Sequence, residues 1–162
     1  MHSGVIFGPA YKGSILAPAI AMTIWKRYEI NIGFAFNRKE AKDHGEMGII
    51  VGHSLAGKDV CIVDDVITTG SSSGEAVKII QANGGTPIAC VIAFDRQERG
   101  NKGGLSAVQK FEHNYKIPVY SVATLHDLIK VLKKDFQSDN VIPNSKEALQ
   151  KILTYQNEYG IK

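Results

Sequence analysis

Four consecutive apolar residues, Val60-Cys61-Ile62-Val63, run straight into two adjacent acids, Asp64 and Asp65. An unbroken apolar run of this length has the pattern of a strand covered on both faces, which sets it inside a mostly parallel sheet. Beyond the acids comes a loop of small and hydroxyl-bearing residues, Val66-Ile67-Thr68-Thr69-Gly70-Ser71-Ser72, and then an apolar stripe at Ala76, Val77 and Ile80. The unit reads as strand, loop and helix, with Ser72 and Glu75 at capping-box spacing. Backbone N–H groups of such a loop, with a helix N-terminus behind them, favour a phosphate. Adjacent carboxylates suit the vicinal hydroxyls of a ribose, since each can accept a hydrogen bond. A lone glycine-serine turn would read as turn and cap chemistry only; two acids immediately beyond a buried strand shift the reading to a binding site. No lysine follows Gly70. The loop is therefore not a Walker A sequence, and a nucleotide triphosphatase is disfavoured.

The rest of the chain repeats this alternation. Val5-Ile6-Phe7, ending at Gly8-Pro9, reads as a central strand with nothing before it. A helix is predicted from Gly13 to Tyr28, with Pro18 in its first turns or kinking it. Short strands are predicted at Gly33–Phe36 and at Ile49–Val51, the second closed by Gly52. The polar tract between them, Asn37 to Gly48, has no hydrophobic period and reads as an exposed loop. Ile88–Phe94 and Val119–Val122 are further strands. Leu105, Val108, Phe111, Glu112 and Tyr115 suggest a helix. Thr124 serves as N-cap to another, whose apolar face is Leu125, Leu128, Ile129 and Leu132. A last helix begins after Pro143, with Asn144 and Glu147 at capping-box spacing and Leu149, Ile152 and Leu153 facing inward. The 162 residues form a single α/β domain, a mostly parallel sheet flanked by helices. In such sheets ligands bind outside the carboxyl ends of the strands, so chemistry is expected in the loops after Phe7, Val63 and Phe94.

Composition removes other classes. A chain 44% hydrophobic and 22% charged is an ordinary globular one. A formal charge of +3, without a helix-turn-helix or an aromatic-basic platform, gives no nucleic-acid partner. The stretch Ile15 to Trp25 is interrupted by Pro18 and Thr23 and falls short of the roughly 18 residues of a membrane span. It reads as a buried helix, and no membrane association is expected. The N-terminus lacks a basic region and a small-residue cleavage site, so no signal peptide is expected. Cys61 and Cys90, each in a β-branched run, read as reduced core thiols of a cytoplasmic protein.

Asp64-Asp65-Val66-Ile67-Thr68-Thr69-Gly70 resembles the phosphoribosyl pyrophosphate signature of type I phosphoribosyltransferases. Phe7-Gly8-Pro9-Ala10-Tyr11-Lys12-Gly13 and Phe36-Asn37-Arg38-Lys39-Glu40-Ala41-Lys42-Asp43-His44-Gly45-Glu46 look like segments of the orotate phosphoribosyltransferases, the second being especially specific. The resemblance implies a type I phosphoribosyltransferase-like fold without that family's N-terminal hood region. It puts Asp64 and Asp65 on the ribose hydroxyls, and Val66, Ile67, Thr68, Thr69, Gly70, Ser71 and Ser72 against phosphoribosyl pyrophosphate, with the Thr68–Ser72 backbone around its 5′-phosphate. Tyr11 and Lys12 lie at the pyrophosphate site. Arg38, Lys39, Lys42 and His44 belong to a mobile catalytic loop, in the family often serving the neighbouring subunit of a homodimer. Thr68 and Arg96, in Asp95-Arg96-Gln97-Glu98-Arg99-Gly100, contact orotate. Lys42, Arg38 and Lys12 are the catalytic candidates.

The implied reaction is Mg²⁺-dependent: orotate and phosphoribosyl pyrophosphate give orotidine 5′-monophosphate and pyrophosphate. Lysine and arginine clamps stabilise charge building on the departing pyrophosphate, and a guanidinium can hold the orotate carboxylate bidentately. The resemblance also implies about sixty further residues ahead of an opening that is abrupt for a domain, supplying a helical region, a lysine to phosphoribosyl pyrophosphate and two phenylalanines to the orotate ring. Three alternatives follow. One is a chain that folds, dimerises and binds phosphoribosyl pyrophosphate without turning over orotate. Another is a phosphoribosyl pyrophosphate-sensing regulator. The third, a purine phosphoribosyltransferase, would not be expected to carry the Arg38–Glu46 loop.

Overall fold

The computed structural model describes residues 4–39, 49–68, 71–100, 104–135 and 145–161. The strands are β1 (Val5–Gly8), β2 (Gly33–Asn37), β3 (Ile50–Gly52), β4 (Asp59–Asp64), β5 (Thr86–Asp95) and β6 (Val119–Thr124). The helices are α1 (Gly13–Tyr28), α2 (Ser71–Ala82), α3 (Ala107–Tyr115), α4 (Leu125–Asp135) and α5 (Ser145–Tyr159). The strands form one sheet in the order β3-β2-β1-β4-β5-β6. β3 runs antiparallel to β2, and every other neighbouring pair is parallel. Val5-Ile6-Phe7 is indeed central, paired on both sides.

Alternation along β1 sends Val5 and Phe7 to one face and Ile6 to the other. On the first face these residues join Val60 and Ile62 of β4, Ala76, Val77 and Ile80 of α2, and Phe111 of α3 in the larger core. On the second face Ile6 and Val63 meet Ala17 and Ala21 of α1. Each fully buried aliphatic or aromatic side chain of this kind contributes about 2 kcal/mol. The β1–α1–β2 crossover therefore lies on one face and β4–α2–β5 on the other. The two run outward in opposite directions from the middle of the sheet. This leaves a crevice at the carboxyl ends of β1 and β4, where the strand order reverses.

Three expectations are corrected. α1 is not buried all round: Ala17 and Ala21 are buried against the sheet with Leu16, Ile20 and Ile24 half-buried beside them, while Ile15, Met22, Trp25 and Tyr28 are exposed. Alanines at i and i+4 let the helix backbone approach closely, and the helical period leaves the apolar residues of the opposite side in solvent. Ser72 is not a cap. α2 opens at Ser71, so Ser72 sits in its first turn and Glu75 beyond it is exposed. Leu105 precedes α3 and is exposed; the helix starts after Ser106, whose side chain accepts from the Gln109 N–H at 3.1 Å while Gln109 returns the bond to the Ser106 N–H at 2.9 Å. The Thr124 cap is as expected: its hydroxyl accepts from the Asp127 N–H at 3.1 Å, and Asp127 accepts from the Thr124 N–H at 3.0 Å. Asn144 lies outside the described residues.

Candidate active site at the carboxyl edge of the sheet

β4 carries Asp64 to the crevice as its last residue, buried to 9% exposure. Asp65 follows, half-buried, and its N–H donates to Asp64 Oδ1 at 2.9 Å. The carbonyl of Asp65 accepts from the Phe94 N–H at 3.0 Å, so the loop is stitched to β5 just beyond the strand end. Across the switch point, Lys12 Nζ donates to Asp65 Oδ2 in an ion pair.

The two neighbouring acids are driven in opposite directions. Burial raises the Asp64 pKa, partly offset by the Asp65 N–H, and the adjacent Asp65 charge adds to the rise. Burial also pushes Asp65 up, but the Lys12 ammonium and the Val66 N–H outweigh it and hold this carboxyl below its ordinary value. Lys12 is raised in turn, chiefly by its hydrogen bond to Asp65 and then by that group's charge. Two acids with opposed environments can take two roles.

The loop after β1 is tightly folded. A Cβ on Gly8 would collide with the carbonyl of Gly13, and one on Gly13 would lie 2.7 Å from the carbonyl of Val63. No side chain larger than hydrogen fits at either position without backbone movement. The Ala10 N–H donates to Asn37 Oδ1 at 3.1 Å, which ties this loop to the end of β2. Asn37 is itself buried to 8%. Just past it, Lys39 Nζ lies 4.4 Å from the centre of the Tyr11 ring. A cleft of about 160 Å³ between the two loops is lined by Ala10, Asn37, Arg38, Lys39, Ser72 and Glu75 among others.

A second cleft, about 480 Å³, opens beside the first loop and is lined by Ile67, Thr68, Asp95, Arg96, Gln97 and Lys110 among others. Thr68 and Arg96, assigned to the same ligand by sequence, are brought to one wall. Arg96 Nη1 lies 3.2 Å from Glu98 Oε1. The same oxygen accepts a hydrogen bond from the Tyr155 hydroxyl of α5.

The structure thus gathers Tyr11, Lys12, Arg38, Lys39, Asp64, Asp65 and Ser72 around the crevice, with Val66 and Ile67 leading to Thr68 and Arg96 beside it. Ser71 opens α2. Lys42, His44, Thr69 and Gly70 lie outside the described residues. Sequence reasoning missed Asn37, whose only signal was a polar amide ending a buried strand, and the pairing of Glu98 with Tyr155, for which no sequence signal exists. Among the described residues no cluster of three or more His, Cys, Asp and Glu could hold a metal, and no helix is long and apolar enough to cross a membrane.

Residues 2–122 match the phosphoribosyl transferase domain family. The orotate phosphoribosyltransferase of Neisseria meningitidis is 46% identical over 158 residues, covering 98% of this chain and 70% of the relative. That of Nitrosococcus oceani is 48% identical, covering 98% and 68%. Among solved structures, orotate phosphoribosyltransferase from Francisella tularensis superposes with a TM-score of 0.77 at 29% identity, covering 96% of this chain and 70% of that one. The Mycobacterium tuberculosis enzyme in complex with phosphoribosyl pyrophosphate gives 0.60 at 27% identity, covering 78% and 65%. Likeness of this extent, in a chain that sets a paired-acid loop at the switch point of the same fold, means that the chain belongs to the orotate phosphoribosyltransferase family.

Proposed function

We propose that this chain transfers the ribose 5-phosphate of phosphoribosyl pyrophosphate to orotate, forming orotidine 5′-monophosphate in pyrimidine synthesis. The observation that carries the residue assignment is the placement of the Lys12–Asp65 pair and the Thr68–Arg96 wall on adjacent loops of one sheet edge. The C1–oxygen bond to pyrophosphate breaks as the bond from the orotate ring nitrogen to C1 forms, through an oxocarbenium-like transition state. The proton on that nitrogen leaves to solvent.

Asp64 and Asp65 accept from the ribose hydroxyls. The backbone from Thr68 to Ser72, ending in the first turn of α2, receives the 5′-phosphate. Lys12, held by Asp65 in the free protein, gains a second anionic partner in the pyrophosphate. Arg38, Lys39, Lys42 and His44 gather on the same group as it departs, supplying charge in a site closed to water. Arg96 grips the orotate carboxylate and Thr68 adds a polar contact. Catalysis rests on alignment and charge stabilisation, since no side chain is placed as a nucleophile.

Mg²⁺ fits this donor set, because two adjacent carboxylates, with no metal-binding cluster of three among the described residues, match an ion held mainly by substrate oxygens and water, and it would supply further positive charge to the pyrophosphate. The exposed α1 residues Ile15, Met22, Trp25 and Tyr28 support a homodimer, since large apolar side chains left in solvent favour association. Free thiols at the half-buried Cys61 and the buried Cys90 fit a cytoplasmic location.

The test is orotate consumption, followed by ultraviolet absorbance with phosphoribosyl pyrophosphate and Mg²⁺ present and adenine as the competing base. Loss of orotate alone is the expected result. Consumption of adenine with orotate untouched would overturn the assignment.

A further inference from the structure

We infer that Glu98 and Tyr155 are positioning residues for the Arg96 guanidinium, so that helix α5 sets how tightly the orotate group is held. The inference rests on the assignment of Arg96 to the orotate carboxylate. One oxygen of Glu98 takes both the Arg96 Nη1 contact and the Tyr155 hydroxyl. With Nη1 engaged, the Nε–Nη2 edge is the one left to receive a carboxylate in the forked geometry arginine offers.

The loop that carries these residues is fastened along its length to the end of the chain. The Arg99 N–H donates to the Tyr159 carbonyl at 2.7 Å, and Arg99 Nη2 to the Glu158 carbonyl at 2.5 Å. The Ile161 N–H donates to the Gln97 carbonyl at 2.8 Å, and Glu98 bridges to Gly160. Gln97 itself adopts a left-handed backbone, φ 53°, with its N–H on Asp95 Oδ1 at 2.8 Å and its side-chain oxygen accepting from the His126 N–H at 3.0 Å. A left-handed glutamine persists only where its surroundings hold it, and here the end of β5, α4 and the residues after α5 all do.

The physical consequence is preorganisation. A free arginine loses rotamer freedom when it binds a ligand, and that loss weakens binding. Glu98 and Tyr155 hold the guanidinium before the ligand arrives, and a second shell of this kind fixes where a binding group points. Tyr155 belongs to a helix that contributes no residue to the phosphoribosyl pyrophosphate crevice. Its effect should therefore fall on one ligand only.

The experiment measures dissociation constants by calorimetry for orotidine 5′-monophosphate and, separately, for phosphoribosyl pyrophosphate, in the parent chain and in Arg96→Ala, Glu98→Ala, Glu98→Gln and Tyr155→Phe. Arg96→Ala should weaken orotidine 5′-monophosphate binding by more than about tenfold, and Glu98→Ala by about tenfold. Tyr155→Phe should weaken it by about threefold. Glu98→Gln keeps the accepting oxygen and should recover part of the loss. Affinity for phosphoribosyl pyrophosphate and the thermal unfolding midpoint should stay at the parent values throughout. If Arg96→Ala weakens binding while Glu98→Ala and Tyr155→Phe leave it unchanged, the positioning role is wrong and the Arg96 assignment stands. Unchanged binding in Arg96→Ala, or a parent that binds phosphoribosyl pyrophosphate and not the product, overturns the Arg96 assignment itself. Equal losses for both ligands in Glu98→Ala would show a general structural role and overturn the inference.

Discussion

Two loops leave neighbouring strands of one sheet and reach the same edge, yet they are held in place differently. The loop after β4 is anchored by the core: Asp64 is the buried end of a strand, Asp65 is stitched to Phe94, and Lys12 reaches it across the switch point from the tightly folded β1 loop. Every anchor except Lys12 is backbone or a strand end. The loop after β5 is anchored by side chains and by the far end of the sequence, through Glu98 with Tyr155, Arg99 with Tyr159, and Gln97 with His126 and Ile161. A ribose phosphate can be read by a strand–loop–helix unit that any parallel sheet provides. A particular base needs a wall built for it, and the wall proposed for it is assembled from residues distant in the chain.

This difference decides what the sequence could reveal. The apolar run and paired acids of β4 form one contiguous segment, so periodicity and spacing were enough to locate the strand, the helix after it and the crevice. The parallel order of the sheet and the α1 range followed from the same signals. The exposed side of α1 did not, because a stretch apolar on every side does not say which of its residues face the sheet. Ser72 and Glu75 matched a cap in spacing, but α2 begins earlier, since cap spacing tolerates a shift that only the backbone resolves. Arg96 was named through resemblance, whereas Tyr155 lies 57 residues from its hydrogen-bond partner Glu98, beyond any local pattern.

The largest effect should come from Lys42, proposed above to stabilise the departing pyrophosphate. Lys42→Ala should lower kcat by about 10²–10³-fold with little change in either KM, measured by steady-state kinetics. Turnover equal to the parent would remove Lys42 from the mechanism. Gly8→Ala addresses the rigid half alone. The added methyl meets the Gly13 carbonyl, and the forced backbone shift should cost about 1–3 kcal/mol in denaturant unfolding, with phosphoribosyl pyrophosphate binding impaired. A neutral result would show that the β1 loop yields more readily than its geometry implies.

A smaller effect is expected from the Lys12–Asp65 pair, which is exposed and adds little to folding. The lowered Asp65 pKa contributes stability above its unfolded value and loses it as pH falls through the folded one. The raised Lys12 pKa contributes below its unfolded value and loses it as pH rises through the folded one. Lys12→Met should therefore differ slightly from the parent at neutral pH and converge with it at both extremes, as followed by unfolding midpoints across pH. A difference that persists into strong acid would assign the effect to packing and not to charge.

The separateness of the two halves is tested most directly by steady-state kinetics with both substrates titrated against Asp65→Asn and Arg96→Lys. Asp65→Asn should raise KM for phosphoribosyl pyrophosphate about tenfold and leave that for orotate unchanged. Arg96→Lys, which keeps the charge and loses the fork, should do the reverse. If either substitution raises both constants together, the two loops do not each serve one substrate.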